Sequence, residues 1–159
     1  MITIEHRFVD ILPVLREKLG QDGTTLGQQR LLVTQLVRNF LKLESKVVEI
    51  GLQSSGIIEM ITDLFFSYPW HSVLHGLFAD IVHVILDCRS IDLKRSLMLA
   101  GQLPHRILTA VKNPATLKNR KTMRSGHLGH ITKISNQIVN YESIHFDLKS
   151  MLMKCEGWQ

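Results

Sequence analysis

Histidines and cysteines are the side chains here best suited to chemistry, and their spacing decides whether they are placed for it. His71 and His75 stand four apart and can share a helical face, as metal-binding pairs do. The glutamate a zincin requires is missing, however, and no third ligand is evident. A helix-start His71 and a packed His75 are the simpler reading. His127 and His130 stand three apart at an expected helix start, where the helix dipole disfavours imidazolium. Neutral rings bonded to nearby backbone are expected there. Cys88 lies between Asp87 and Arg89, and the arginine could lower its thiol pKa somewhat, but no histidine base is positioned by sequence, so a buried or incidental cysteine is the favoured reading. The serines lack a nucleophile elbow, and Gly126 and Gly129 form neither a P-loop nor a dinucleotide fingerprint. The expectation is a chain with no catalytic residue, no metal and no cofactor.

Charge offers a different kind of function. Net charge is +5, but no Asp or Glu occurs between Asp92 and Glu142, a window holding nine Lys and Arg residues, so the window carries +9 and the remainder −4. Five of those cations, Lys112, Lys118, Arg120, Lys121 and Arg124, fall in or beside a polar stretch over 113–125 that reads as the longest loop. They could neutralise several phosphates, which keeps a basic helical nucleic-acid-binding domain as the alternative function. The stretch has no aromatic residue to stack on a base and no recognition-helix motif, so a solvated loop or an acidic protein partner is the preferred reading.

The elements that must position these residues are helices. Over 159 residues the chain is 45% apolar, about one domain able to bury a core. Two cysteines make no disulfide framework, and Met1 to Asp10 has no secretory signal, so a reducing cytoplasmic setting is expected, with the nucleus also open. The most hydrophobic segment, Val73 to Leu86, contains His75, Asp80 and His83 and is too short to span a membrane. It is apolar on almost every face and should be the centre of the fold.

Around it, Ile4 to Leu19 shows helical spacing that Pro13 should kink or restart. Thr25 is a plausible N-cap for a second helix ending near Leu43, and Ser45 for a third through Leu52. Ile57 to Phe66 reads as a helix with a buried strand as competitor. A fifth helix starts near Ser72 after the Tyr68-Pro69-Trp70 break, Ser90 caps a sixth that Gly101 ends, and Pro104 opens a seventh through Val111. Leu128, Ile131, Ile134 and Ile138 mark an eighth, and Ile144, Leu148, Met151 and Leu152 a ninth ending near Gly157. About nine helices of ten to fifteen residues with short connections predict an all-α fold, an armadillo- or HEAT-like helical-repeat array. It is read as one domain over 1–159 or a fragment of a longer array. No repeat signature is visible in the residues, so that subtype follows from helix number and length.

Two stretches go beyond generic helix. Asp63, Leu64, Phe65, Phe66, Tyr68, Trp70, Leu74 and His75 resemble the segment of SAPS-domain proteins in which an apolar helix ends in two phenylalanines before a tryptophan turn and leucine-histidine. Gly126 to Asn136, with His127, Gly129, His130, Thr132 and Lys133, resembles the glycine-histidine signature of the same family. Leu26, Gly27, Arg30 and Leu31 add a weaker match, so the similarity covers roughly Leu26 to Asn140. The chain departs from the pattern at Ser67, Pro69, His71 and Ser72.

The resemblance implies a helical scaffold that binds the catalytic subunit of a PPP-type serine/threonine phosphatase of the phosphatase-6 class and helps select substrates, often with ankyrin-repeat partners. It implies a fragment from the later part of a longer domain. Candidate partner-binding residues are Trp70, His75, Lys118, Arg120, Lys121, Arg124, Gly126, His127, Gly129, His130, Thr132 and Asn136. Two readings stay open. The signature either fixes helix packing or contacts a partner, and Trp70 is either a buried anchor or an exposed hot spot.

Overall fold

The computed structural model describes residues 4–21, 23–113, 126–143 and 145–158. Within them lie nine α-helical segments and no strand: α1 (Ile4–Leu19), α2 (Gln28–Leu41), α3 (Lys46–Ser55), α4 (Ile57–Ser67), α5 (Ser72–Asp87), α6 (Ile91–Arg95), α7 (Leu103–Lys112), α8 (Leu128–Glu142) and α9 (Phe146–Leu152). The strand reading of residues 57–66 is excluded. Helix α6 runs directly into a π-turn, Ser96–Ala100, closed by the Gly101 amide on the Ser96 carbonyl at 2.7 Å. A Cβ on Gly101 would lie 2.9 Å from the Leu97 carbonyl oxygen and 3.3 Å from Thr62 Oγ1, so the turn needs glycine.

Helix α5 is the centre, as its composition predicts. Leu74, Leu77, Phe78, Ala79, Ile81, Val82, Ile85 and Leu86 are all buried. It packs between α2 on one side and α8 on the other, and all three run the same way. Arg30, early in α2, lies over the Tyr68 ring just before α5, and Arg38, a turn short of the α2 end, reaches Asp80 in mid α5. His75, in the first turn of α5, meets His127 and His130 at the start of α8, and Tyr141 near the α8 end donates to Asp87 at the α5 end.

Several boundaries differ from expectation. Helix α1 is continuous through Pro13: Phe8, Leu12, Leu15 and Leu19 bury one stripe along its whole length, which outweighs the local penalty of the proline on its exposed side. Helix α2 begins at Gln28, not beside Thr25, because the buried Arg30 side chain folds back onto the carbonyls of Leu26 (2.6 Å) and Thr25 and holds 25–27 as a loop, with Gly27 at φ 74°. It stops at Leu41, before the exposed Leu43 and Glu44 at φ 50°. Ser45 precedes α3 without capping it, and α3 runs on to Ser55, where left-handed Gly56 turns the chain. Ser90 does cap α6, accepting from the Leu93 amide at 3.4 Å. Helix α9 ends at Leu152, short of Gly157, and the helices span five to sixteen residues. Ile144 and residues 114–125, hence nearly all of the expected basic loop, lie outside the described residues.

Candidate interaction site

Because α2, α5 and α8 are parallel neighbours, their starts lie along one side of the molecule, and the three motif stretches of the sequence fall there. Two carbonyls just before α5 organise this side. The His75 Nε2–H donates to the Tyr68 oxygen at 2.8 Å, and His127 donates to the Pro69 oxygen. Tyr68 in turn donates its hydroxyl to the Gly23 carbonyl at 2.9 Å and stacks its ring under Arg30, tying the α2 start to the α5 start. His71 caps α5, its Nδ1 accepting from the Leu74 amide at 3.2 Å.

His75 and His127 are both buried. His75 sits 5.2 Å from Phe65, 5.8 Å from His127 and 5.5 Å from His130, centroid to centroid. Burial is the main cause that holds His75 down to about 4, only partly opposed by the Tyr68 hydrogen bond and reinforced by the neighbouring histidines. His127 and His130 are also pushed below the ordinary imidazole value by burial, His130 further by Lys133. Both shifts favour the neutral form expected of His127 and His130, with desolvation as the main cause, and the expected backbone bond is seen for His127. Cys88 is half-buried, in keeping with the favoured reading, but its pKa does not move in the direction that Arg89 suggested. Burial raises its thiol pKa, and its Sγ–H is directed at the Ile85 carbonyl at 3.0 Å. Among the described residues no group of three or more His, Cys, Asp or Glu is arranged to hold a metal ion.

A family profile described as SIT4 phosphatase-associated protein, SAPS, matches residues 46–155. The chain belongs to the SAPS family. Similar proteins include the extragenic suppressor of kinetochore protein 1 of Schizosaccharomyces pombe, 27% identical over 135 residues, which cover 78% of this chain and 15% of that protein. The SIT4-associating protein SAP190 of Saccharomyces cerevisiae is 24% identical over 80% of this chain and 13% of its own length. Serine/threonine-protein phosphatase 6 regulatory subunit 3 of Gallus gallus is 29% identical over 80% and 16% respectively. The chain thus spans only about a seventh of the length of these relatives. No solved structure matches it.

The SAPS motifs separate into structural and exposed parts. Gly126 is structural: a Cβ there would sit 3.2 Å from the Pro69 oxygen and 3.6 Å from Trp70 Cε3. Gly129 is not, since nothing in the described fold lies within 4 Å of its Cβ position. Trp70 is neither fully buried nor free: it is 39% exposed and packs beside Gly126. Thr132 and Asn136 lie on the exposed face of α8, Thr132 donating to the Leu128 carbonyl at 3.1 Å. Of the expected site, Trp70, His75, Gly126, His127, Gly129 and His130 come together, Thr132 and Asn136 continue along α8, and Lys118, Arg120, Lys121 and Arg124 lie outside the described residues.

Sequence reasoning missed the structural weight of Arg30 and Tyr68, which join α2 to α5. Their signal was present in the type of residue, a planar cation and an aromatic each beside a helix start. Nothing local says that residues 38 apart in the chain will meet. Missed too was a cleft of about 630 Å³ at the opposite ends of these helices, lined by Lys42, Glu44, Glu49, His83, Asp87 and Arg89 among others.

Proposed function

We infer that this chain is part of a noncatalytic regulatory or scaffold module that binds the catalytic subunit of a PPP-type serine/threonine phosphatase of the phosphatase-6 class and helps select its substrates. The observation that carries this reading is SAPS membership over residues 46–155, together with relatives named for association with SIT4 and for regulation of phosphatase 6. The fold supports it. Groups that could have served catalysis are instead absorbed into packing: His71 caps a helix, His75 and His127 bond main-chain carbonyls, and the Cys88 thiol is turned toward one. No helix among the described residues is long and apolar enough to cross a membrane.

The order of packing supports a repeat-like scaffold. Helix α3 packs on α6 much as α5 packs on α8, and α1 and α2 pack on α4 and α5. Such contacts between helices three apart in the chain are the kind that a helical-repeat array makes. An ankyrin-repeat partner and a cytoplasmic and nuclear setting belong to the same proposal. The nucleic-acid alternative gains nothing from the SAPS assignment.

Calorimetric titration of the chain with a phosphatase-6 catalytic subunit tests the reading. Binding that weakens at high salt is expected if the basic window contributes. A SAPS protein carrying this chain in place of its own matched segment is the second arm. If neither the chain nor the chimera captures a PPP-type phosphatase, the reading is wrong.

A further inference from the structure

The joint between α5 and α8 is built on an imidazole with one satisfied and one unsatisfied nitrogen. His75 is fully buried, its Nε2–H is committed to the Tyr68 carbonyl at 2.8 Å, and its Nδ1 is buried with no hydrogen-bond partner among the described residues. A second proton on His75 must go to that nitrogen, where it would meet no acceptor and make a buried, unpaired cation.

The charged and titratable groups around it offer no compensation. From α8 come His127, His130 and Lys133, and from the α5 start His71. From α2 comes Arg30, across the Tyr68 ring. The neighbouring carboxylates are engaged elsewhere. Asp63 of α4 is bound by Arg106 of α7, Asp80 by Arg38, Asp92 of α6 by Arg95, and Asp87 accepts from Tyr141 at the far end. Glu59 of α4 lies near Gly56 at the opposite end of that helix from Phe65.

We propose that the contact of His75 with the His127–His130 turn is a proton-sensitive joint, in which charging the cluster releases the start of α8 from α5. The side that yields is α8. Helix α5 buries nine of its sixteen residues and leaves one stripe through Val73, Asp80, His83 and Asp87 partly or fully exposed, whereas α8 is held by the single stripe Ile131, Ile134 and Ile138. The first turn of α8 also contains Gly129, which weakens a helix relative to alanine. The depressed pKa of His75, about 4, agrees with this direction. Opening restores solvation and an ordinary imidazole pKa, so it takes up protons and is favoured as pH falls from about 6.5 toward 4. By linkage, opening at pH 5 should rise about tenfold or more over pH 7.5.

Hydrogen exchange of the whole chain at pH 7.5 and 5.0, corrected for intrinsic amide rates, tests this. Protection of the amides of 128–134 is expected to fall about tenfold at pH 5.0 while that of 77–86 holds. In His75→Gln, whose amide can still donate to the Tyr68 carbonyl, the selective fall should shrink severalfold, leaving only what His127 and His130 contribute. A loss spread evenly over all helices, or an undiminished loss in the variant, would overturn the proposal. Should that variant fail to fold, imidazole nitrogen NMR of the unaltered chain decides alone. His75 gaining its proton together with opening of 128–134 supports the joint, and His75 titrating with α8 still closed refutes it.

Discussion

The two ends of the α2–α5–α8 ladder are held together by different physics. At the start end, contact is made by buried aromatic and imidazole rings: Phe65 stacks on Phe78 at 4.5 Å and meets the rings of His75 and His127, which donate to main-chain carbonyls. At the finish end, contact is made by partly exposed polar pairs, Arg38 with Asp80 at 3.2 Å and Tyr141 with Asp87 at 3.0 Å, beside a charged cleft. Burial of rings is worth kilocalories, whereas exposed pairs in water are worth little. The start end should therefore dominate stability and the finish end should tolerate change.

The comparison breaks most visibly at Phe65. Phe65→Ala, which empties the ring cluster at the start end, should destabilise the chain by about 3–5 kcal/mol in urea unfolding. A loss under about 1 kcal/mol would mean the cluster does not hold the ladder. Acid comes next. His75 has a folded pKa held below its unfolded value, so its contribution is complete above about pH 6.5 and is lost as pH falls toward about 4. The loss from this one group is at most about 3 kcal/mol, measurable as a falling urea midpoint between those pH values. An unchanged midpoint would place the ring in water.

Smaller effects sharpen the picture within the glycine-histidine motif. Gly126→Ala must push the Pro69 carbonyl aside and should cost about 1 kcal/mol, while Gly129→Ala, with open space before it, should gain roughly 0.5–1 kcal/mol from improved helix propensity. If Gly129→Ala gains stability yet weakens phosphatase binding, the bare position serves a partner. The least effect is expected at the finish end. Asp80→Ala should change stability by about 1 kcal/mol or less, since both side chains of its pair are partly exposed, and that loss should shrink further in high salt.

Much of this site was legible before the fold was known. Spacing placed His71 at a helix start and His75 in the packing, and the apolar circumference of 73–86 identified the central helix. What spacing could not tell was the difference between Gly126 and Gly129. Both are glycines of one motif, but only one has a carbonyl from another part of the chain pressed against it. The direction of the Cys88 pKa was hidden for a related reason. Its charged sequence neighbours suggested a lowered pKa, yet burial and not adjacency dominates the thiol. Helix ends were misplaced where a distant or folded-back side chain overrode the local cap, as Arg30 did on the carbonyls of Leu26 and Thr25.

By itself the sequence determined that the chain is helical, that α5 is its centre, and, through the motifs that carry the SAPS resemblance, the family to which it belongs. These follow from periodicity, apolar content and residue identity, all of which act locally. It did not fix the inward face of α2, where Arg30 is buried and Leu32 and Leu43 are exposed. Only the tertiary structure decided that α2, α5 and α8 run in parallel, that the three motifs share one side, and that His75 keeps a buried, unpartnered nitrogen in a ring packed beside two other histidines. Those properties depend on groups 38 to 55 residues apart in sequence being brought into contact, such as Arg30 with Tyr68 and His75 with His130. No local pattern encodes such a meeting, because it is set by the way whole helices bury their faces against one another.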